Sequence, residues 1–250
     1  MLELLLRVAL VSFVAGVGGT GVGGLLAVML GRPARNVLSA MLGFAAGIML
    51  AIVGLELFPE AIRRGGLLST SLGMLSGVIL IYVLDAFVPH THANPDDKES
   101  SRFVRSAMLI GLGVALHNLP EGVAIGSGYA SGTAFGLAVV AMVFLHNVPE
   151  GLAVASPYLA AGRSWAAAIR LTAFTGLTEV AGALIGAAVS AVSPLILSFS
   201  LALAGGAMLF ILADELIPGA HELASGHAAT MGLVGGVLAG MVLSVLFTGI

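Results

Sequence analysis

Long apolar stretches separated by short polar breaks run along the whole chain. A helix that crosses a bilayer needs roughly 20 apolar residues. Eight stretches meet that length, at 4–30, 37–59, 66–89, 104–128, 133–157, 165–190, 194–218 and 230–249. The first is longer than the apolar region of a signal peptide, lacks a basic start and shows no clear cleavage site, so it reads as a span. The main polar interruption is His90–Arg102, a short loop between the third and fourth spans. The fold class expected is an all-α membrane protein: one transmembrane domain over 1–250, eight transmembrane helices, and no soluble domain.

Eight spans put both termini on one side. The loops after spans 1, 3 and 5 carry Arg32, Arg35, Lys98, Arg102, Arg105, Arg163 and Arg170, against Arg7, Arg63 and Arg64 on the other side. Basic residues collect on the cytoplasmic side, which places loop 90–102 inside and both termini outside.

Composition agrees. Hydrophobic residues make up 58% of the chain and charged residues 9%, against about 25% in soluble domains. Too few polar groups remain to cover a water-facing surface. Ten Lys and Arg spread thinly in a chain of net charge −3 argue against nucleic-acid binding. There is no cysteine, which excludes disulfides and thiolate metal sites. Thirty-five glycines suit close helix packing in lipid. Gly16-Val17-Gly18-Gly19-Thr20-Gly21 matches a dinucleotide fingerprint, but that fingerprint has meaning only between a strand and a helix, so it reads as helix packing. Trp165 reads as an interface anchor.

Two internal repeats stand out. Leu116-His117-Asn118-Leu119-Pro120-Glu121-Gly122 recurs as Leu145-His146-Asn147-Val148-Pro149-Glu150-Gly151. Gly47, Met49, Leu50, Ile52, Glu56, Leu57, Pro59 and Ala61 recur at a fixed offset as Gly206, Met208, Leu209, Ile211, Glu215, Leu216, Pro218 and Ala220. In each pair one copy falls on an even-numbered span and the other on an odd one, so the copies run antiparallel. Inverted repeats around a midplane site are a common plan of secondary transporters.

No Lys or Arg falls in the middle of a span, whereas Glu56, Asp85, Glu121, Glu150, Glu179, Asp214 and Glu215 do lie within spans. A carboxylate at mid-bilayer costs several kcal/mol and marks function by default. The single sign of these charges implies a cationic ligand. His117 and Glu121 are four residues apart and share one helix face, with Asn118 beside them; His146, Asn147 and Glu150 repeat the arrangement. Imidazole nitrogen and carboxylate oxygen suit zinc and similar divalent metals. Pro120 and Pro149 each remove a helical hydrogen bond and free the carbonyls of Leu116 and Leu145 next to these groups. Glu179, in the middle of span 6, is a further candidate ligand.

The paired HNLPEG and HNVPEG blocks on the fourth and fifth of eight spans resemble the ZIP (Zrt-, Irt-like protein) family of metal transporters, in particular its bacterial GufA-like branch. The resemblance covers essentially the whole chain. It implies transport of zinc, and often iron, manganese, cobalt or cadmium, toward the cytoplasm, with no prosthetic cofactor and no enzymatic activity. It implies a bacterial inner-membrane location and a binuclear centre. His117, Glu121, His146 and Glu150 would hold the primary ion. Asn118, Asn147 and Glu179 would hold a second, with the two block glutamates bridging. Met49 resembles a family position near the primary ion. Asp85, His90 and His92 in DAFVPHTH, and His221 with Glu222 in PGAHE, match the family's metal-binding groups at the cytoplasmic exit. The loop after span 3 is short and holds two histidines, unlike the long histidine-rich loop of many eukaryotic relatives.

Two other functions compete. An intramembrane metal-dependent hydrolase needs an open metal position, an activated water and a base, and no HExxH occurs. A metal-selective channel is not separable from a carrier by sequence. In either transporter, metal affinity rises with pH as histidines become neutral and glutamates ionise. Partners expected are divalent metal ions and the lipid bilayer, with a homodimer left open.

Overall fold

The computed structural model describes residues 2–31, 34–85 and 99–248, with the side chains of 85, 99–102 and 106 outside the description. Seven of the described helices are long and apolar enough to cross a membrane. They are α1 (Leu2–Leu30), α2 (Arg35–Leu84), α3 (Glu99–Ser131), α4 (Thr133–Ala160), α5 (Trp165–Ser190), α6 (Pro194–Leu223) and α7 (Ala228–Thr248).

One boundary differs from the sequence reading. Stretches 37–59 and 66–89 were separated by a polar break, but the chain stays helical through 60–65 and departs from helical geometry only at Gly66 (φ 74°, ψ 177°). The polar residues there are accommodated on the helix, since Glu60 pairs with Arg63 and Arg64 one turn on. Glycine takes the left-handed φ of the break at little cost. α2 is therefore two limbs, 35–65 and 67–84.

The helices associate in pairs: α1 with α4, α3 with α5, limb 35–65 with α7, and limb 67–84 with α6. Reciprocal glycines bring each pair together. Gly23 faces the Val148 carbonyl while Gly151 faces that of Thr20; Gly122 faces Glu179 while Gly182 faces Leu119. Gly47 and Gly236 do the same between limb 35–65 and α7, as do Gly77 and Gly206 between limb 67–84 and α6. A Cβ at any of these positions would overlap partner backbone. Without a hydrophobic force between helices in lipid, such close approach supplies the packing energy.

The distribution of polarity is inverted relative to a soluble protein. Large apolar side chains such as Leu6, Leu68 and Leu246 face outward, each more than 60% exposed. The interior holds His117, Asn118, Glu121, His146, Asn147, Glu150 and Glu179. Lipid is the solvent such a surface fits, and the chain is an integral membrane protein.

Three π-helical turns interrupt the helices, at Val14–Gly18, Ile52–Leu57 and Leu212–Leu216. The last two are followed by Pro59 and Pro218. Proline lacks a donor and its ring collides with the carbonyl four residues back. Those carbonyls, on Leu55 and Asp214, lie inside the widened turns, which relieve the clash.

Candidate metal centre

α3 and α4 cross at the middle of the molecule and turn their duplicated blocks toward each other. Residues 117, 118 and 121 share one helix face, as do 146, 147 and 150. All six side chains are buried, and so is Glu179 on α5. The helices run unbroken through Pro120 and Pro149.

Glu121, His146 and Glu150 form the tightest set, with one ligand atom from each lying within 4.8 Å of the others. The His146 Nε2 is 3.0 Å from Glu121 Oε1 and 3.1 Å from Glu150 Oε1. Neither approach has hydrogen-bond geometry; this nitrogen and both carboxylates have no hydrogen-bond partner. The other ring nitrogen decides the tautomer. Nδ1 lies 2.9 Å from the Ala45 carbonyl of α2, which can only accept, so Nδ1 carries the proton and donates. In the neutral ring the lone pair is then on Nε2, facing two carboxylates, the arrangement of a histidine held ready for a metal. In a low-dielectric interior the charges of such a set need balancing, by protons or by a bound cation.

The asparagines are oriented the same way. Asn118 donates through Nδ2 to the Thr175 carbonyl at 3.0 Å. Asn147 donates to the Ala15 carbonyl at 3.1 Å and to Glu179 Oε2 at 2.7 Å. With their donors committed to the surrounding helices, both amide oxygens are buried without a partner, and so is Glu179 Oε1. Gly16 and Gly19 of α1 make room here: a Cβ at Gly16 would meet Glu179, and one at Gly19 the Asn147 side chain.

His117 stands apart from the close set. Its Nε2 lies 3.1 Å from Glu215 Oε1 on α6, and its Nδ1 is buried without a partner. Glu215 is the residue that sequence reasoning counted among the buried acids without giving it a role. Its repeat relationship to Glu56 was the available signal. The two equivalents behave differently: Glu56 is buried and accepts from Ser244 at 2.5 Å, whereas Glu215 is about 39% exposed.

The exposure of Glu215 is to a cavity of about 720 Å³. Its polar floor is His117, Glu150, Asp214 and Glu215, and it extends past Leu84, Phe103 and Pro157 to one end of the helices. Toward the opposite end the centre is covered by Ile52, Ile125, Val139 and Met142, all fully buried. Among the described residues, the centre meets this cavity on one side and a buried apolar layer on the other.

The remaining candidates are more distant. Met49 is fully buried, one helical turn beyond Ala45 on the same face. Asp85 ends α2 with its side chain outside the described residues, and His90 and His92 lie outside them entirely. His221 and Glu222 are exposed near the end of α6 and do not line the cavity. There His221 Nδ1 donates to the Ile217 carbonyl and Nε2 accepts from Thr230.

Fold and donor set together define a membrane-embedded protein with a buried nitrogen-and-oxygen cluster able to hold a metal ion. The profile of the ZIP zinc transporter family matches residues 90–248. Zinc transporter ZupT of Corynebacterium efficiens is 33% identical over 249 residues, covering 91% of this chain and 92% of its own length. The ZupT proteins of Enterobacter sp. (strain 638) and Salmonella heidelberg are 34% and 35% identical, covering 87% and 92% of this chain and 88% and 93% of theirs. The chain belongs to the ZIP family of transporters.

Proposed function

We propose that this protein carries zinc, and other divalent transition metals of similar ligand preference, across a bacterial inner membrane toward the cytoplasm. The observation that carries the reading is His146: one ring nitrogen is tied to a backbone carbonyl, and the other faces Glu121 and Glu150 with no hydrogen-bond partner. These three residues with His117 are the primary ligands, and Met49 lies beside them. Asn118, Asn147 and Glu179 offer three unpaired oxygens to a second ion, with Glu121 and Glu150 shared. The names of the relatives favour zinc as substrate.

The cavity is the exit. An ion leaving the primary set meets His117 and Glu215 at its floor. Beyond it, Asp85, His90 and His92, with His221 and Glu222, would receive the ion on the cytoplasmic side. The basic loops fall at this end, which makes it the cytoplasmic face, with 90–102 inside and both termini outside.

Counting the two limbs of α2 separately gives eight spans. The repeats then form two inverted halves. Exchanging α3 with α4 and limb 35–65 with α6 matches the sequence repeats, and the π turns at 52–57 and 212–216 occupy equivalent places. If α1 also exchanges with α5, and limb 67–84 with α7, the pair α1·α4 becomes α5·α3 and the pair limb 35–65·α7 becomes α6·limb 67–84. All four are observed helix pairs. A centre open to one side and sealed on the other by a fully buried apolar layer suits a carrier better than a channel.

Uptake into proteoliposomes over a panel of metals, with and without a proton gradient, tests the reading. Saturable zinc uptake by the wild type and its loss in Glu150→Ala, at equal levels of folded protein, are expected. Near-normal zinc flux in that variant would exclude Glu150 as a ligand.

A further inference from the structure

At the end of the molecule opposite the cavity, one polar network ties limb 35–65 to the junction of α3 and α4. Glu60 is its hub, with about 10% of its side chain exposed. It accepts from Arg63 Nε at 2.6 Å, from Arg64 Nε at 2.7 Å and from the hydroxyl of Ser131, the last residue of α3. Arg64 closes the ring by donating through Nη2 to the Ser131 carbonyl at 2.8 Å and its hydroxyl at 2.9 Å. The bonds from Arg63 stay within one helix, whereas those through Ser131 cross between helices. Along the same three helices, between this network and the centre, come the fully buried Ile52, Ile125, Val139 and Met142.

This placement differs from that of an ordinary surface ion pair. Exposed pairs contribute little because water screens them. Here the carboxylate is nearly enclosed and the guanidinium grips both a side chain and a terminal helix carbonyl. Parting limb 35–65 from the tip of α3 breaks the bonds to Ser131.

We propose that Glu60, Arg64 and Ser131 form a latch that holds this end shut while the cavity is open at the other, and that its release is a step of each transport cycle. The inference rests on the transporter reading above. The latch is conformation-specific: its free energy weights the balance between the two states without touching the metal ligands.

The chain has no cysteine, so single introduced thiols report accessibility cleanly. Ala138→Cys places a thiol in the buried layer under the latch, and Ala153→Cys places one in the cavity wall. Each is made alone and with Glu60→Gln, which keeps the shape and removes the charge, then reacted with a membrane-impermeant thiol reagent in proteoliposomes. The expected result is reciprocal: Glu60→Gln speeds reaction at 138 and slows it at 153. The ratio of the two rates should change by about tenfold, the effect of losing one charge-assisted hydrogen bond. Ser131→Ala, a milder change, should shift the ratio the same way by less. Unchanged rates would overturn the proposal, and so would a rise at both positions, which would mean general loosening. If Glu60→Gln does not fold, Ser131→Ala alone decides, since an unchanged ratio in it has the same meaning. Zinc uptake by the unmutated protein in matched liposomes checks the transporter reading separately.

Discussion

The tautomer of a single histidine shapes the chemistry of the centre. Because Ala45 can only accept, the neutral His146 ring carries its proton on Nδ1 and turns Nε2 to Glu121 and Glu150. The asparagines are held as firmly, but they bring neutral amide oxygens, poor ligands for zinc beside imidazole and carboxylate. Two divalent ions a few ångströms apart in a low-dielectric site repel strongly, and Asn118 and Asn147 add no negative charge to offset this. For the proposed two-ion centre the expectation is therefore unequal sites, a tight primary one and a weaker second one. Replacing both asparagines with Ala should leave at least a substantial fraction of zinc uptake, whereas His117→Ala should remove most of it. Uptake corrected for membrane expression is the measurement, and a double asparagine variant as inactive as His117→Ala would reverse the ranking. The role of His117 is wider than its spacing implied, since it faces Glu215 in the cavity while its second nitrogen stays buried and unpaired.

At the scale of helices, the glycines determine what can be changed. A Cβ at Gly122 would overlap the Glu179 backbone, while one at Gly235 meets only Phe44 at an ordinary 3.9 Å. Gly122→Ala forces α3 from α5 and shifts Glu179 with it. Overpacking of this kind costs about 1–3 kcal/mol, so the thermal midpoint in detergent should fall by about 5 °C. Gly235→Ala should match the wild type or exceed it slightly, because alanine is the better helix former. Equal midpoints for the two variants would mean that the helix pairs tolerate separation. The break in α2 also belongs to this scale. Sequence placed a loop at Glu60–Gly65 from polarity, and polarity was misleading because Glu60, Arg63 and Arg64 satisfy one another on the helix.

For the molecule as a whole, the all-helical class and the ends of most helices were legible in the chain, since apolar length alone identifies a segment that lipid can surround. So was the pairing of the two HNxPEG blocks, because identical spacing places identical groups on facing helices. What could not be read was anything contributed by backbone: the Ala45, Ala15 and Thr175 carbonyls that orient the ligands carry no side-chain signature. The cavity depends on the conformation adopted, and neither it nor the exposure of Glu215 could be deduced from residue order. His90 and His92 are proposed to gather metal on the cytoplasmic side without forming the barrier. Replacing both with Ala should lower zinc uptake at most a few-fold; complete loss with normal expression would make that loop part of the gate. The π turns set one more limit on how this chain can vary. A π turn is in effect one residue inserted into a helix, and each residue turns the helix by about 100°. Deleting a single residue from 212–216 would restore a regular helix and move Glu215 off its bearing toward His117, so this turn tolerates a change of side chain more readily than a change of length.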